Sequence, residues 1–356
     1  MIPSFCTVDE MFYDACRRIN VAGQKIPSRD GDSQEITGYC GRLNNPRANF
    51  VFNSHRKLNP FYAAAEFLWY LSNTNNIEMI KAYAPQYVRF TEDGEHAWGA
   101  YGNRWIADPA FIQESMKHHE QLNFDLRKTI VGDTLQAPLS QIQAVAWLLQ
   151  KNPLTRQAVI GMWNPGDLLH AIIGDKKDIP CTTTLNFLIR DNKLNLVANM
   201  RSNDVWLGFP YDVWSFTNLQ ILLADFLNID IGWYQHQAMS LHIYERNREP
   251  FLKVCEKEEY RWSKDEDYNE MVEGNSFCYS NHKTSLKLSQ VINEAILIEK
   301  EIRNKNCFSI VPIIDRVGDD SLFGQLLCIL MRKWNGVFPL DFINNEKMIH
   351  HIERYF

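Results

Sequence analysis

The residues most capable of chemistry lie between positions 179 and 244. Cys181 follows Ile179-Pro180, and the run Arg201-Ser202-Asn203-Asp204 ends an apolar stretch twenty residues later. A cysteine acts as a nucleophile in its thiolate form, which a nearby arginine or a helix N-terminus stabilises. Because a hairpin would bring Arg201 back towards Cys181, the spacing is compatible with a nucleophilic thiol. The alternative is a buried structural thiol, which is the common fate of a single cysteine.

Three arginines are candidates for binding a phosphate: Arg29, Arg156 and Arg201. The planar guanidinium group matches a phosphate monoester, and Ser202 adds a hydroxyl donor beside Arg201. Each arginine alone is better explained as a surface charge. Arg201 is the hardest to explain in that way, since it belongs to a polar cluster at the end of an apolar strand.

Three further polar residues allow two interpretations each. Asp212 is either the N-cap of a helix that begins near Val213 or a group that recognises a ligand. His242 and Tyr244 alternate with apolar residues and therefore point to one face of a strand. They are either hydrogen-bonded core residues or a pair that binds a sugar.

Glu66 lies inside an apolar helix that the sequence predicts from Asn59-Pro60 to Leu71, with the proline in its first turn. We interpret this carboxyl group as part of a site rather than as one that the helical phase turns to solvent.

The elements around these residues predict an α/β (α+β) fold. Two strands, 183–189 and 193–200, are predicted to form a hairpin around Asp191-Asn192. The predicted catalytic domain covers residues 1–262, and a mostly helical extension covers residues 263–356. Periodicity predicts the other elements as follows: helices over 8–21, 134–151, 214–226, 288–302 and, capped by Asp319-Asp320, 322–330; strands over 35–52, 156–164 and 237–244; and a charged linker over 256–273.

Composition narrows the class of protein. The net charge is −6 without a basic block, which argues against a nucleic-acid polymer as partner. No pair of the eight cysteines has C-x-x-C spacing, so neither a zinc ribbon nor a thioredoxin motif is indicated, and no metal is predicted. The start lacks the pattern of a signal peptide, and no apolar run reaches the length of a membrane span. We therefore expect a cytoplasmic protein.

Several motifs together resemble the thymidylate synthase superfamily in order and approximate spacing. They are I-P-C at 179–181, R-S-N-D at 201–204, L-G-x-P at 207–210, H-x-Y at 242–244, E-F-L-W-Y-L from Glu66, Y-G-x-x-W from Tyr101 and W-N at 163–164. The resemblance covers about residues 11–247. It implies a mixed sheet packed with helices, and a homodimer.

The resemblance also implies roles for individual residues. Cys181 would attack C6 of a pyrimidine nucleoside monophosphate, Glu66 would manage protons and ordered water, and Tyr101 would belong to the same catalytic group. The implied binding residues are Arg29, Arg201, Ser202 and a dimer partner's Arg156 for the 5′-phosphate, His242 and Tyr244 for the sugar, and Asp204, Leu207, Gly208, Tyr211 and Tyr87 for 5,10-methylenetetrahydrofolate.

One departure from thymidylate synthase concerns the base. Asp212 stands where the family has an asparagine, whose amide matches the N3–H and O4 of uracil. A neutral carboxyl group accepts from N4 of cytosine and donates to N3, whereas an ionised one suits N3-protonated cytosine. Asp212 is therefore predicted to act in catalysis and to select cytosine, with dCMP favoured and CMP possible.

A second departure concerns the one-carbon unit. Tyr87 and Phe90 occupy the positions of the two tryptophans in the W-D-E-W motif of the synthase. The last residues, 353–356, differ from the C-terminal tail that closes the site of the synthase. A wetter site would let water add and give a hydroxymethyl group. The motifs C-T-T-T, L-I-R-D and N-M-R-S-N-D resemble the phage deoxycytidylate hydroxymethylases more closely, although Gln157 replaces the second arginine of the family's phosphate clamp. The alternatives are a thymidylate synthase, a uridylate hydroxymethylase, or a non-catalytic nucleotide-binding relative.

Overall fold

The structure of the protein is a computed structural model. It describes residues 2–28, 31–105, 113–114, 117, 140–256, 288–306, 309, 316–317, 321–335, 343 and 345–355. The chain forms two compact units. The first contains Met1–Asn59, Cys181–Cys278 and Ile343–Phe356, and the second contains Pro60–Pro180 and Tyr279–Phe342. The boundary predicted after residue 262 lies outside the described residues and stays a prediction, as does the charged linker beyond residue 256.

The helices of the described residues are, in chain order, α1 (Val8–Ala22), α2 (Pro60–Leu71), α3 (Glu78–Tyr83), α4 (Tyr101–Trp105), α5 (Gln141–Lys151), α6 (Pro165–Ile173), α7 (Phe209–Leu227), α8 (Arg248–Cys255), α9 (Leu288–Arg303), α10 (Leu322–Asn335) and α11 (Glu346–Glu353). Short 3₁₀ helices cover Pro85–Phe90 and Glu245–Asn247. The strands are β1 (Ser4–Phe5), β2 (Gln24–Ile26), β3 (Ser33–Leu43), β4 (Val159–Gly161), β5 (Thr182–Arg190), β6 (Lys193–Asp204) and β7 (Asp230–Tyr244).

A mixed sheet forms the first unit, with neighbouring strands in the order β1-β3-β7-β6-β5 and β2 paired with β3. The predicted hairpin is confirmed: β5 and β6 are antiparallel, and Asp191 and Asn192 turn the chain with φ angles of 53° and 57°. The next pair, β6 and β7, is parallel and places Asp204 opposite His242. The sheet therefore brings the ends of two candidate-bearing strands together.

A bulge interrupts the hairpin close to Cys181. Thr182 faces Met200 while Thr184 faces Asn199, so the residue between them, Thr183, is extra on its strand. The Thr183 hydroxyl group donates to the Asn199 carbonyl oxygen at 2.9 Å. Such bulges bend a strand and change the direction of nearby side chains, which the sequence did not predict here.

Helices α1 and α7 pack on this sheet. The predicted helix at 8–21 is confirmed as α1, whose N-terminus carries a reciprocal cap between Thr7 and Glu10. Helix α7 is buried almost throughout and begins at Phe209, with Pro210 in its first turn. The prediction that this helix begins near Val213, with Asp212 as its N-cap, is wrong. Gly208 is the N-cap, because Phe209-Pro210-Tyr211 already have helical backbone geometry.

In the second unit, a buried ion pair fixes the segment around α4. Arg104 donates to both carboxylate oxygens of Asp167 at 2.7 and 3.1 Å, and the Trp98 indole donates to the same carboxylate at 2.9 Å. Gln141 donates to the carbonyl oxygens of Arg104 and Gly161 at 2.6 and 2.8 Å. These contacts tie α4, α5 and β4 together, and the helix predicted to end at residue 151 is α5.

Residues of the predicted extension contribute to both units. In the second unit, α9 and α10 pack against each other and against α2. They confirm the helices predicted over 288–302 and 322–330, while Asp319-Asp320 lie outside the described residues. In the first unit, α11 is attached to the segment before α2 through His351, which bonds the Leu58 carbonyl oxygen at 2.7 Å. No helix within the described ranges is both long and apolar enough to cross a membrane.

Loss of the buried Arg104–Asp167 pair should destabilise the protein strongly. In Arg104→Met the Asp167 carboxylate keeps its burial but loses its counter-charge, so we expect a loss of about 3–5 kcal/mol in the free energy of unfolding. Urea unfolding followed by circular dichroism measures it. Lys253→Ala removes an exposed pair with Glu249 and should change stability little. Equal effects of the two substitutions would contradict the prediction.

Candidate active site

Cys181 and Arg201 lie side by side at the open end of the β5–β6 hairpin. The Arg201 amide donates to the Cys181 carbonyl oxygen at 2.9 Å, and the Arg201 guanidinium lies 3.8 Å from Cys181 Sγ. A guanidinium at this distance favours the thiolate electrostatically. The hairpin thus produces the pairing that the sequence spacing suggested, and Ser202 follows on the same strand.

Asp204 ends β6 in a tight turn. Its Oδ1 accepts from the amides of Trp206 and Leu207 at 2.7 and 3.0 Å. Its Oδ2 is out of contact with solvent and has no hydrogen-bond partner among the described residues. Burial raises the pKa of Asp204, against the lowering effects of these amides and of His242. The structure therefore contains a buried carboxyl oxygen that a ligand donor could satisfy.

His242 and Tyr244 end β7, as predicted. Their rings make an edge-to-face contact with centroids 5.0 Å apart. Burial lowers the pKa of His242, while the neighbouring carboxyl groups of Asp204 and Glu35 oppose that shift. A neutral imidazole beside a phenol offers one hydrogen-bond donor and one acceptor, which suits a hydroxyl group.

Asp212 lies in the first turn of α7, and its carboxyl group bonds to the neighbouring strand. Asn203 Nδ2 donates to Asp212 Oδ2 at 2.7 Å, and both side chains are buried. Gly208 leaves the space for this bond, because a Cβ atom there would lie 2.8 Å from Asn203 Nδ2 and 3.2 Å from Asp212 Oδ2. Steric crowding therefore explains why the L-G-x-P motif has a glycine at position 208.

Sequence reasoning missed the residues behind Asn203. His236 Nε2 lies 3.0 Å from Asn203 Oδ1, and His236 Nδ1 lies 2.8 Å from the Tyr234 hydroxyl oxygen. All three side chains are buried. The available signal was weak: two polar residues at alternate positions of β7, on the same face of the strand.

Arg56 organises the segment around Tyr211. Its Nε donates to the Trp206 carbonyl oxygen at 2.7 Å, and its guanidinium lies 5.4 Å from each ring centroid of Trp206 and Tyr211. The Asn59 amide donates to the Tyr211 hydroxyl oxygen at 3.2 Å. The predicted folate residues therefore belong to one continuous segment: Leu207 and Gly208 lie in the turn after β6, and Tyr211 lies in the first turn of α7.

In the second unit, Glu66 is buried on α2, as its position in an apolar helix predicted. The Tyr62 hydroxyl group donates to Glu66 Oε1. Burial raises the pKa of Glu66 from its ordinary value of 4.5 to about 7, although hydrogen bonds from Tyr62 and Tyr70 act in the opposite direction. A carboxyl group with this pKa can give or take a proton at neutral pH.

An aromatic cluster on α2 joins the other predicted residues of this unit. The Tyr70 ring lies 4.9 Å from that of Tyr101, and the Trp69 ring lies 5.2 Å from that of Tyr87. Gly102 lets α4 approach α2, because a Cβ atom there would lie 2.9 Å from the Thr74 carbonyl oxygen. Arg156 is exposed just before β4, and Arg29 lies outside the described residues.

The raised pKa of Glu66 predicts a pH-dependent stability. The folded protein binds this proton more tightly than the unfolded chain does, so stability falls as the pH rises from about 4.5 to about 7. Glu66→Gln lacks this penalty and should be more stable than the wild type above pH 7, by about 3 kcal/mol at most. The difference should disappear near pH 4.

Urea unfolding of both proteins between pH 4 and pH 8 tests this, with Glu249→Gln as an exposed control. A stability difference for Glu66→Gln that is the same at every pH would contradict the prediction.

Comparison with known proteins gives matches over most of the chain. Residues 10–271 match the thymidylate synthase family. The chain is 28% identical over 236 residues to a deoxyuridylate hydroxymethyltransferase of Bacillus phage SP01 and 25% identical over 267 residues to one of Delftia phage PhiW-14. It is also 25% identical over 261 residues to a bifunctional dihydrofolate reductase-thymidylate synthase of Paramecium tetraurelia.

These three matches involve 66%, 72% and 71% of this chain, in the order given. They span 56%, 66% and 53% of the relatives' own lengths. The family match alone covers well over half of the chain, and most strands of the mixed sheet lie within the matched residues. The chain belongs to the thymidylate synthase family.

Proposed function

We propose that this protein is a cytidylate 5-hydroxymethylase. Its substrates would be dCMP, or secondarily CMP, together with 5,10-methylenetetrahydrofolate and water. The observation that carries the choice of cytosine is Asp212, a buried carboxyl group at the family position that recognises the base. An acid there matches the amino edge of cytosine better than the O4 of uracil.

Cys181 would begin the reaction by adding its thiolate sulfur to C6 of the base, which makes C5 nucleophilic. Arg201, 3.8 Å from the sulfur, supports this role by stabilising the thiolate. Arg201 and Ser202 would also hold the 5′-phosphate, with Arg29 and a partner subunit's Arg156. His242 and Tyr244 would bind the sugar hydroxyl group.

Methylenetetrahydrofolate would supply the one-carbon unit to C5. The C5 proton would then leave and tetrahydrofolate would be eliminated, which gives an exocyclic methylene group on C5. The residues present fit a pterin, since the buried Asp204 Oδ2 has no donor among the described residues. After Asp204 come Leu207 and Gly208 in the same turn and Tyr211 in the first turn of α7. Tyr87 belongs to the aromatic cluster of the second unit.

Water rather than hydride would complete the reaction. Glu66, with a pKa of about 7, is suited to move the proton of the water that adds at the new methylene group. Cys181 would then leave C6. Tyr101 would support this carboxyl group through its contact with Tyr70.

A uridylate hydroxymethylase is the second candidate, and the names of two relatives favour it. This second function requires that Asp212 bind the N3–H and O4 of uracil, and only a neutral carboxyl group can both accept from N3–H and donate to O4. A thymidylate synthase is a further alternative, and a non-catalytic nucleotide-binding relative would not need Cys181, Glu66 and Asp204 together. We also propose a homodimer in the cytoplasm, in which the exposed Arg156 reaches the partner's substrate.

A substrate panel tests the proposal. Each of dCMP, CMP, dUMP and UMP is incubated with methylenetetrahydrofolate, and mass spectrometry should show a hydroxymethyl product from the cytidylates. A parallel assay uses cytidylate that carries tritium at C5. Cys181→Ser should abolish both product and release of the C5 label. A protein that merely binds nucleotide would release no label.

Asp212→Asn should reverse the base preference. Restoring the amide should lower kcat/KM for dCMP and raise it for dUMP, changing their ratio by a factor on the order of 10³ or more. Steady-state kinetics of both proteins provide the measurement. If the wild type already prefers dUMP, the assignment of cytosine is wrong.

A further inference from the structure

A buried chain of side chains stands behind the Asp212 carboxyl group. Asn203 links Asp212 to His236, and His236 links Asn203 to Tyr234, with distances of 2.7, 3.0 and 2.8 Å between successive polar atoms. Asn203 is 2% exposed, and His236 and Tyr234 are fully buried. Water is therefore excluded from most of the chain, and each group must satisfy its neighbour.

The chemistry of these groups gives the chain a direction. An amide nitrogen only donates and an amide oxygen only accepts, so Asn203 Nδ2 donates to Asp212 while Asn203 Oδ1 requires a donor. His236 Nε2 must then carry a proton, and His236 Nδ1 accepts from the Tyr234 hydroxyl group.

The last two side chains of this hydrogen-bonded series, His236 and Tyr234, keep the protons that this direction needs. Burial lowers the pKa of His236 to about 3, so the imidazole is neutral and has one donor and one acceptor. Burial and then the nearby carboxyl group of Asp212 raise the pKa of Tyr234 well above its usual value, which keeps its hydroxyl proton in place. Phe209 covers the imidazole edge-to-face, with centroids 4.8 Å apart.

We propose that Asn203, His236 and Tyr234 are positioning residues that hold Oδ2 of Asp212 as a hydrogen-bond acceptor, favour the ionised carboxyl group and so select against uracil. This inference rests on the function proposed above and deepens it. A carboxylate that only accepts can bind the N4 amino group and a protonated N3 of cytosine. It offers nothing to the O4 of uracil and repels that oxygen.

The opposite direction of the chain would lose this selectivity. If Asn203 were flipped, its oxygen would face Asp212, which would then have to be protonated and to donate. A protonated carboxyl group resembles the amide of an asparagine and can serve the N3–H and O4 of uracil. In that state His236 would carry its proton on Nδ1, and the Tyr234 hydroxyl oxygen would have to accept from it instead of donating.

The substitution Tyr234→Phe tests whether these hydrogen-bonded side chains affect the choice of base. It removes only the hydroxyl group, so the ratio of kcat/KM for dCMP to that for dUMP should fall by about 3- to 10-fold, the range expected for one buried hydrogen bond. Tyr39→Phe is the matched control. Tyr39 is equally buried, and its hydroxyl group donates to the Met11 carbonyl oxygen at 3.4 Å, outside the chain. Its ratio should stay within twofold of the wild type.

A second pair of variants separates positioning from packing. His236→Gln retains a side-chain N–H for Asn203 and should keep most of the selectivity, whereas His236→Leu should lose at least 10-fold of it. If both variants have the same ratio as the wild type, the inference is overturned.

The tautomer can be observed without any turnover. In protein labelled with ¹⁵N-histidine, the resonances that disappear in His236→Gln belong to His236, and they should show a protonated Nε2 and an unprotonated Nδ1. A protonated Nδ1 would overturn the inference whatever the kinetics of the variants show.

The two proposals fail in different ways. A wild-type protein that converts dUMP and not dCMP contradicts the proposed function. A wild-type protein that converts dCMP, with equal substrate ratios for Tyr234→Phe and Tyr39→Phe, contradicts only the role of the chain.

Discussion

A buried carboxyl group needs hydrogen-bond donors, and the turn between β6 and α7 is arranged to supply one to Asp212. The donor comes from Asn203 on β6, across the turn that leads into α7. This contact requires a glycine at position 208 and an α7 that begins at Phe209. Removing this donor would take away part of the compensation for the lost hydration of the carboxyl group, which costs free energy of folding.

Two parallel neighbours, β6 and β7, explain why so many candidate residues belong to one unit. Their register places Asp204 opposite His242. The side chains of Asn203 and His236 also meet, although these residues are not opposite each other in the register. The hairpin from β5 then adds Cys181 beside Arg201. Strand pairing and side-chain contacts within one sheet therefore bring together residues that are far apart in the sequence.

The sequence predicted this arrangement only in part. The hairpin at Asp191-Asn192, the apolar helix that contains Glu66 and the alternation of His242 with Tyr244 depend on local patterns, and the structure confirms them. The start of α7 was wrong, because a proline and a bulky residue after glycine also fit a helical first turn. His236 and Tyr234 were missed, since their importance comes from a partner on another strand, which no local pattern reveals.

The hydrogen-bonded side chains behind Asp212 fill the core less favourably than apolar side chains would. Burying an amide, an imidazole and a phenol has a desolvation cost that an apolar cluster does not have, and complete hydrogen bonding at best offsets it. Apolar side chains of the same volume could fill the space, but they could not give the carboxyl group a fixed direction of hydrogen bonding. The chain is therefore better explained by selectivity than by stability, because each member restricts the protonation or the orientation of the next.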